Sequence, residues 1–171
     1  KVKERKTIMK KTPLYKIHKD LGAKLVEFNG WKMPIKYSSI IKEHKAVRNK
    51  CGLFDVSHMG EIIIKGPDAF KAVQKLITND ISNLEIGGVV YTPLCNYNGG
   101  IIDDILVYYL EVDKFMFVVN AANINKDWKW IKENTRENEC KVLNQSEKYS
   151  MLAVQGPESR RILNGLIDFN L

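Results

Sequence analysis

The chain has 171 residues, 44% hydrophobic and 27% charged, a composition that belongs to a folded globular protein and excludes a disordered one. No run approaches the roughly 18 apolar residues of a membrane-spanning helix, and the opening Lys1-Val2-Lys3-Glu4-Arg5-Lys6 lacks the apolar stretch of a signal peptide, so a cytoplasmic protein is expected, without a membrane partner. The net charge of +7 is uneven: 15 of the 27 Lys and Arg, but only 4 of the 20 acidic residues, fall in residues 1–50.

Residues 1–11 are basic and patternless and are expected to form a flexible leader, within which Met9 could be the true start. The basic stretch has no interleaved aromatic residues and no recognition motif, which argues against nucleic acid. An acidic protein, an anionic ligand or a plainly solvated surface fits it equally. Thr12-Pro13 opens a helix with Thr at the N-cap and Pro at the first helical position; Leu14, Ile17 and Leu21 share a face, and Gly22 ends it. A second helix is expected near 39–50, with Ile40, His44 and Val47 on one stripe, His44 partly buried, and Gly52 as its stop.

An internal repeat follows. Lys65-Gly66-Pro67-Asp68-Ala69 matches Gln155-Gly156-Pro157-Glu158-Ser159, and the helices beyond carry apolar residues at the same offsets: Ala72, Val73, Leu76 and Ile77 against Ile162, Leu163, Leu166 and Ile167. Each copy follows an apolar strand and turns through Gly-Pro into a helix. Between them, Val89 to Asn96 and Ile101 to Tyr109 read as a hairpin, Lys114 to Val119 as a third strand, and Asn123 as the cap of a helix with Ile124, Trp128 and Ile131 on one face. Lys141 to Leu143 adds a short strand. The expected fold is α+β, with antiparallel sheets flanked by helices and two related strand-GlyPro-helix units, the second incomplete. Residues 12–52 and 140–171 would form parts of a first, incomplete domain, and 53–139 a second. An unfinished sheet leaves an edge for another chain or a second copy to pair.

Cys51, Cys95 and Cys140 are odd in number and far apart, which argues for buried free thiols rather than disulfides, and no His pair sits at a metal-ligand spacing, so no metal is expected. The conspicuous feature is Ile101-Ile102-Asp103-Asp104-Ile105-Leu106-Val107, two adjacent carboxylates inside an apolar strand. Burying a carboxylate costs several kcal/mol, roughly, unless something offsets it. Successive strand side chains point to opposite faces, so one of the pair is expected to face a site and the other to point outward.

Six ordered motifs carry a family resemblance: Lys11-Thr12-Pro13-Leu14, Phe28-Asn29-Gly30-Trp31-Lys32-Met33-Pro34, Phe54-Asp55-Val56-Ser57-His58-Met59-Gly60-Glu61, Leu76-Ile77-Thr78-Asn79-Asp80, Asn98-Gly99-Gly100-Ile101-Ile102-Asp103-Asp104 and Val118-Val119-Asn120-Ala121-Ala122-Asn123. By these the chain resembles the N-terminal half of the glycine cleavage system T protein, the folate-dependent aminomethyltransferase. The resemblance implies transfer of a one-carbon unit from the aminomethyl-lipoyl arm of the carrier (H) protein to tetrahydrofolate, with release of ammonia and no metal. It implies that Asp104 is the catalytic carboxylate beside the reacting nitrogens, and that Met59, Tyr91, Leu106, Val118 and Asn120 line the pterin pocket with it. His58 reads as structural. Family members are roughly twice as long, so the resemblance also implies a missing C-terminal half. Three other functions stand beside it: a non-catalytic folate-binding or assembly half, a relative that oxidises dimethylglycine or sarcosine, and an iron–sulfur maturation protein. The lack of a fused flavin domain argues against the second, and the intact Asp104 motif against the third.

Overall fold

A computed structural model describes residues 9–171; residues 1–8 of the expected leader lie outside the described residues. In chain order the elements are β1 (Lys10–Lys11), α1 (Tyr15–Asp20), β2 (Lys24–Phe28), β3 (Trp31–Lys36), α2 (Ile40–Asn49), β4 (Gly52–Asp55), β5 (Gly60–Lys65), α3 (Ala69–Leu76), β6 (Val89–Cys95), β7 (Ile101–Glu111), β8 (Lys114–Val119), α4 (Ile124–Asn134), β9 (Lys141–Asn144), β10 (Leu152–Gln155) and α5 (Ser159–Asn164). The fold is α+β, and among the described residues the one parallel pairing is β1 with β3. Lys10 and Lys11 therefore belong to a strand, where a leader was expected. No described helix is long and apolar enough to cross a membrane.

Two units divide the chain: Met59–Tyr149, and the residues up to His58 together with Ser150–Leu171. These limits differ from the boundaries expected at 52/53 and 139/140, and strand pairing is the reason. β4 runs antiparallel to β10, with Asp55 opposite Leu152, which holds the chain past residue 53 in the first unit. β9 runs antiparallel to β5, which takes residues 141–144 into the second.

The second unit is a five-stranded sheet in the order β6-β7-β8-β5-β9. One face carries Ile62, Ile64, Ile105, Val107, Phe115 and Phe117, each no more than 1% exposed, and α3 and α4 cover it with Val73, Leu76 and Ile131. Each such side chain contributes about 1.5–3 kcal/mol by leaving water, which makes this face the stabilising core. The turn from β5 into α3 depends on Gly66: its φ is +139°, and a Cβ there would lie 2.5 Å from the carbonyl oxygen of Glu139. Gly156 repeats the arrangement in the first unit with φ +124° and the Lys50 carbonyl at 2.5 Å. Ala69 N donates to Gly66 O (2.8 Å) and Ser159 N to Gly156 O (3.1 Å), so the repeat seen in the sequence is a repeat of backbone conformation.

The first unit holds the sheet β1-β3-β2 and the pair β10-β4. Its α1 turns a different face inward from the one expected. Ile17 and Leu21 are 53% and 65% exposed, whereas His18 is buried. Polar partners explain this: His18 Nδ1 bonds to the Tyr37 hydroxyl (2.7 Å) and Nε2 to Asp55 Oδ2 (2.8 Å). Burial alone would raise the Asp55 carboxyl, but hydrogen bonds from His18 and Ser57 outweigh it and hold it below the usual carboxylate range. Ser39 caps α2, accepting from Lys42 N, and His44 is exposed rather than partly buried. The three cysteines are free and half-buried rather than sealed in the core.

Candidate functional site

The register of the second sheet assembles the singled-out residues on the face opposite the helices. Tyr91 lies opposite Leu106, Leu106 opposite Val118, and Val118 opposite Glu61, so these four form one row across β6, β7, β8 and β5. Directly opposed residues project to the same face, and the next residues of like parity form a parallel row. That second row starts with Pro93 opposite Asp104 and continues to Asn120, one residue past the end of β8. Met59 immediately precedes β5. The result is a ledge rather than a closed pocket: Tyr91 is 64% exposed and Asp104 is exposed, while Leu106 and Asn120 are half-buried and Val118 is buried.

Asp104 is held from two sides. The Tyr91 hydroxyl donates to its Oδ2 at 2.5 Å, and Asn120 Nδ2 approaches its Oδ1 at 3.3 Å and its carbonyl oxygen at 3.0 Å. The bond to Asp104 raises the pKa of the Tyr91 hydroxyl, with burial and the nearby carboxylate charges adding to the effect. The phenol therefore keeps its proton and acts as a donor.

The expected roles of the two adjacent acids are corrected on one point. Alternation does separate them, but the buried carboxylate is Asp103, 4% exposed, and it points neither outward nor to the ledge. Its Oδ2 accepts from Asn120 N (3.0 Å), and its Oδ1 from Asn120 Nδ2 (2.9 Å) and Asn123 Nδ2 (2.7 Å). Burial alone would raise this carboxyl; hydrogen bonds from Asp127, Asn120 and Asn123 reverse the balance and lower it. The burial cost that made the motif conspicuous is thus offset by amide donors on the helix side. Asn123 stands at the α4 N-cap position but its side chain makes no cap, being engaged with Asp103.

Two residues escaped the sequence reading. Glu61 completes the upper row, is 1% exposed, and has no hydrogen-bond partner among the described residues on either carboxyl oxygen; burial pushes it up to about 7. The signal was present, since Glu61 interrupts Gly60-Glu61-Ile62-Ile63-Ile64 as the two Asp interrupt their strand. Asp127 of α4 is fully buried, and its i, i+4 spacing from both Asn123 and Ile131 marks it as inward-facing. His58 lies edge-on to Phe28 at 5.6 Å, and burial lowers its pKa. That environment fits a structural role.

A cleft of about 600 Å³ in the first unit is lined by Phe28, Met33, Tyr37, Val47 and Leu53 among others, and one of about 670 Å³ lies at Gly66 and Asp113 in the second. Neither is lined by Asp104 or its companions. Chemically, the ledge offers an aromatic ring, apolar surface and a fixed carboxylate side by side, a combination suited to a flat heterocycle with ring N–H groups.

A family model described as GCVT N-terminal domain matches residues 14–171. The aminomethyltransferase of Halothermothrix orenii is 56% identical over 163 residues, which cover 95% of this chain and 45% of that protein. For the aminomethyltransferase of Staphylococcus epidermidis the identity is 50% over 165 residues, covering 96% and 46%. The crystal structure of glycine cleavage system aminomethyltransferase T from Bartonella henselae superposes with a TM-score of 0.86 at 36% identity, over 92% of this chain and 43% of that one. The chain therefore spans less than half the length of the curated relatives it matches.

Proposed function

Because the chain belongs to the GCVT N-terminal domain family, we propose that it is the N-terminal half of a folate-dependent aminomethyltransferase. In this reading the whole protein moves the one-carbon unit from the aminomethyl-lipoyl carrier (H) protein to tetrahydrofolate and releases ammonia. The single observation that carries the assignment of the site is the two-row ledge, on which Asp104 is the one carboxylate both exposed and fixed by donors.

Tetrahydrofolate, when bound, supplies the nitrogens that accept the one-carbon unit. Leu106 and Val118 offer apolar surface to its pterin, Tyr91 an aromatic face and Asn120 a polar edge, with Met59 at the border. Asp104 orients the ring through its carboxylate, places negative charge where positive charge develops, and can take a proton from nitrogen. Positioning is its larger role. The basic N-terminal third would meet an acidic carrier protein, which makes that association salt-sensitive. The protein works in the cytoplasm on this reading.

Exposed apolar surface gives a second reading its footing. Leu53, Phe54, Leu152, Leu166 and Phe169 in the first unit are 41–75% exposed, which suits an assembly half that is completed by a separate C-terminal half and does not itself turn over. Titration of the chain with tetrahydrofolate, followed by fluorescence with and without the C-terminal half of a relative, separates the two. With both halves present, Asp104→Asn should lower methylene transfer by about 10²-fold or more while leaving the urea midpoint unchanged. Full activity in that variant would remove Asp104 from the mechanism.

A further inference from the structure

Behind the ledge, Asp103 meets a second acid. No N–H or hydroxyl of the described residues reaches either oxygen of Asp127, which is fully buried in α4. Its hydrogen-bonding neighbour is the carboxyl of Asp103. Two carboxylates are both acceptors, so this contact is a hydrogen bond only if one of them carries a proton. Asp103 already accepts three N–H bonds, from Asn120 N, Asn120 Nδ2 and Asn123 Nδ2, which favour its anion. Asp127 has no such donors, and the shared proton belongs on it.

We propose that Asp127 and Asp103 form a one-proton carboxylic acid–carboxylate pair that fixes Asn120, and through it Asp104, so that Asp127 is a positioning residue of the ledge. The relay is short. Asp127 donates to Asp103, Asp103 holds the backbone and side-chain amides of Asn120, and Asn120 Nδ2 reaches the carbonyl and carboxylate oxygens of Asp104. The pair stands on the burial of Asp127, its lack of N–H and hydroxyl donors and the three amide donors on Asp103; its bearing on folate rests on the functional reading above.

The charged groups acting on Asp127 are Asp103 of β7 and Lys126 of its own helix, whose Nζ donates to Ile102 O at 2.6 Å. Burial, then the bond to Asp103 and its charge, push the Asp127 carboxyl up to about 8, with Lys126 opposing. Below that value one negative charge is shared across the pair. Above it two like charges are in contact, and the hold on Asn120 loosens.

Carbon-detected NMR of the 171-residue chain labelled in its Asp and Asn side chains tests this without any ligand. The Asp127 carboxyl carbon should titrate near pH 8, and the side-chain carbonyl carbons of Asn120 and Asn123 should move with the same midpoint. Asp127→Asn, whose amide donates to Asp103 in place of the acid, should abolish that titration and leave both asparagine signals independent of pH. If every aspartate carbon of the parent chain titrates in the ordinary range, or Asn120 stays still while Asp127 titrates, the pair or its hold on the ledge is overturned. A folate titration with the C-terminal half is a separate arm: affinity should fall as pH rises through 8 in the parent and stay level in Asp127→Asn. Absence of all folate binding there would count against the functional reading, while the carbon titration decides the pair.

Discussion

The two strand-GlyPro-helix units share a backbone and differ in what surrounds them. In the first, Ile62, Ile63 and Ile64 are at most 3% exposed and α3 buries Ala69, Ala72, Val73 and Leu76. In the second, α5 buries nothing, and Leu152, Ile162, Leu166 and Ile167 are 36–75% exposed. One local pattern therefore specifies one turn and one helix start in both places, while burial follows the neighbours: β5 lies between β8 and β9, whereas β10 pairs with β4 alone among the described residues. Local sequence sets the bend; tertiary context decides how much free energy it is worth.

Substituting equivalent positions is the sharpest way to break that comparison. Leu76→Ala should cost about 3–4 kcal/mol by urea unfolding, because it empties a closed core, whereas its counterpart Leu166→Ala should change stability by less than about 0.5 kcal/mol. Equal costs would mean that α5 is buried in solution. The next effect arises where the copies differ chemically, since the repeat places Met151 where the first copy has Glu61. An acid raised to about 7 binds an extra proton in the folded state above its ordinary value of 4.5, so stability falls as pH rises through that window and is level beyond it. Glu61→Met should therefore stabilise the chain by about 2–3 kcal/mol at pH 8, with little gain at pH 4.5, and make the fall between shallower, leaving the share that Asp127 contributes. A parent chain equally stable at both pH values would show that Glu61 is not held neutral. The smallest difference is expected at the turns. Gly66→Ala and Gly156→Ala should each cost about 2 kcal/mol, read by hydrogen exchange in β5 and β10, because both meet a carbonyl oxygen at positive φ. A cost at Gly66 alone would end the equivalence.

What the sequence showed and what it hid divide along the same line. The Gly-Pro turns, the hairpin and the repeat were legible because each depends on a few neighbouring residues. The face of α1 was misread because apolar periodicity put Ile17 and Leu21 inward, while His18 is drawn in by Asp55 and Tyr37, partners 37 and 19 residues away. At the ledge, alternation separated Asp103 from Asp104, but which acid was buried depended on donors from Asn120 and Asn123 beyond the next strand. Glu61 stayed hidden for a related reason: only the cross-strand register joins it to Tyr91, Leu106 and Val118.

The pairing of β4 with β10 also bears on how the polypeptide is made. Val56 N donates to Met151 O at 3.0 Å and Ser57 Oγ to the same carbonyl at 3.3 Å, which ties the outgoing end of β4 to the incoming end of β10. Everything between those ends is one contiguous stretch that can complete its five-stranded sheet from its own residues. A ribosome delivers about 5–20 residues per second, so β4 waits on the order of ten seconds for its partner to emerge. During that interval Leu53 and Phe54 have no β10 strand beside them, and the backbone groups that later pair with Val154 and Ala153 are left to water.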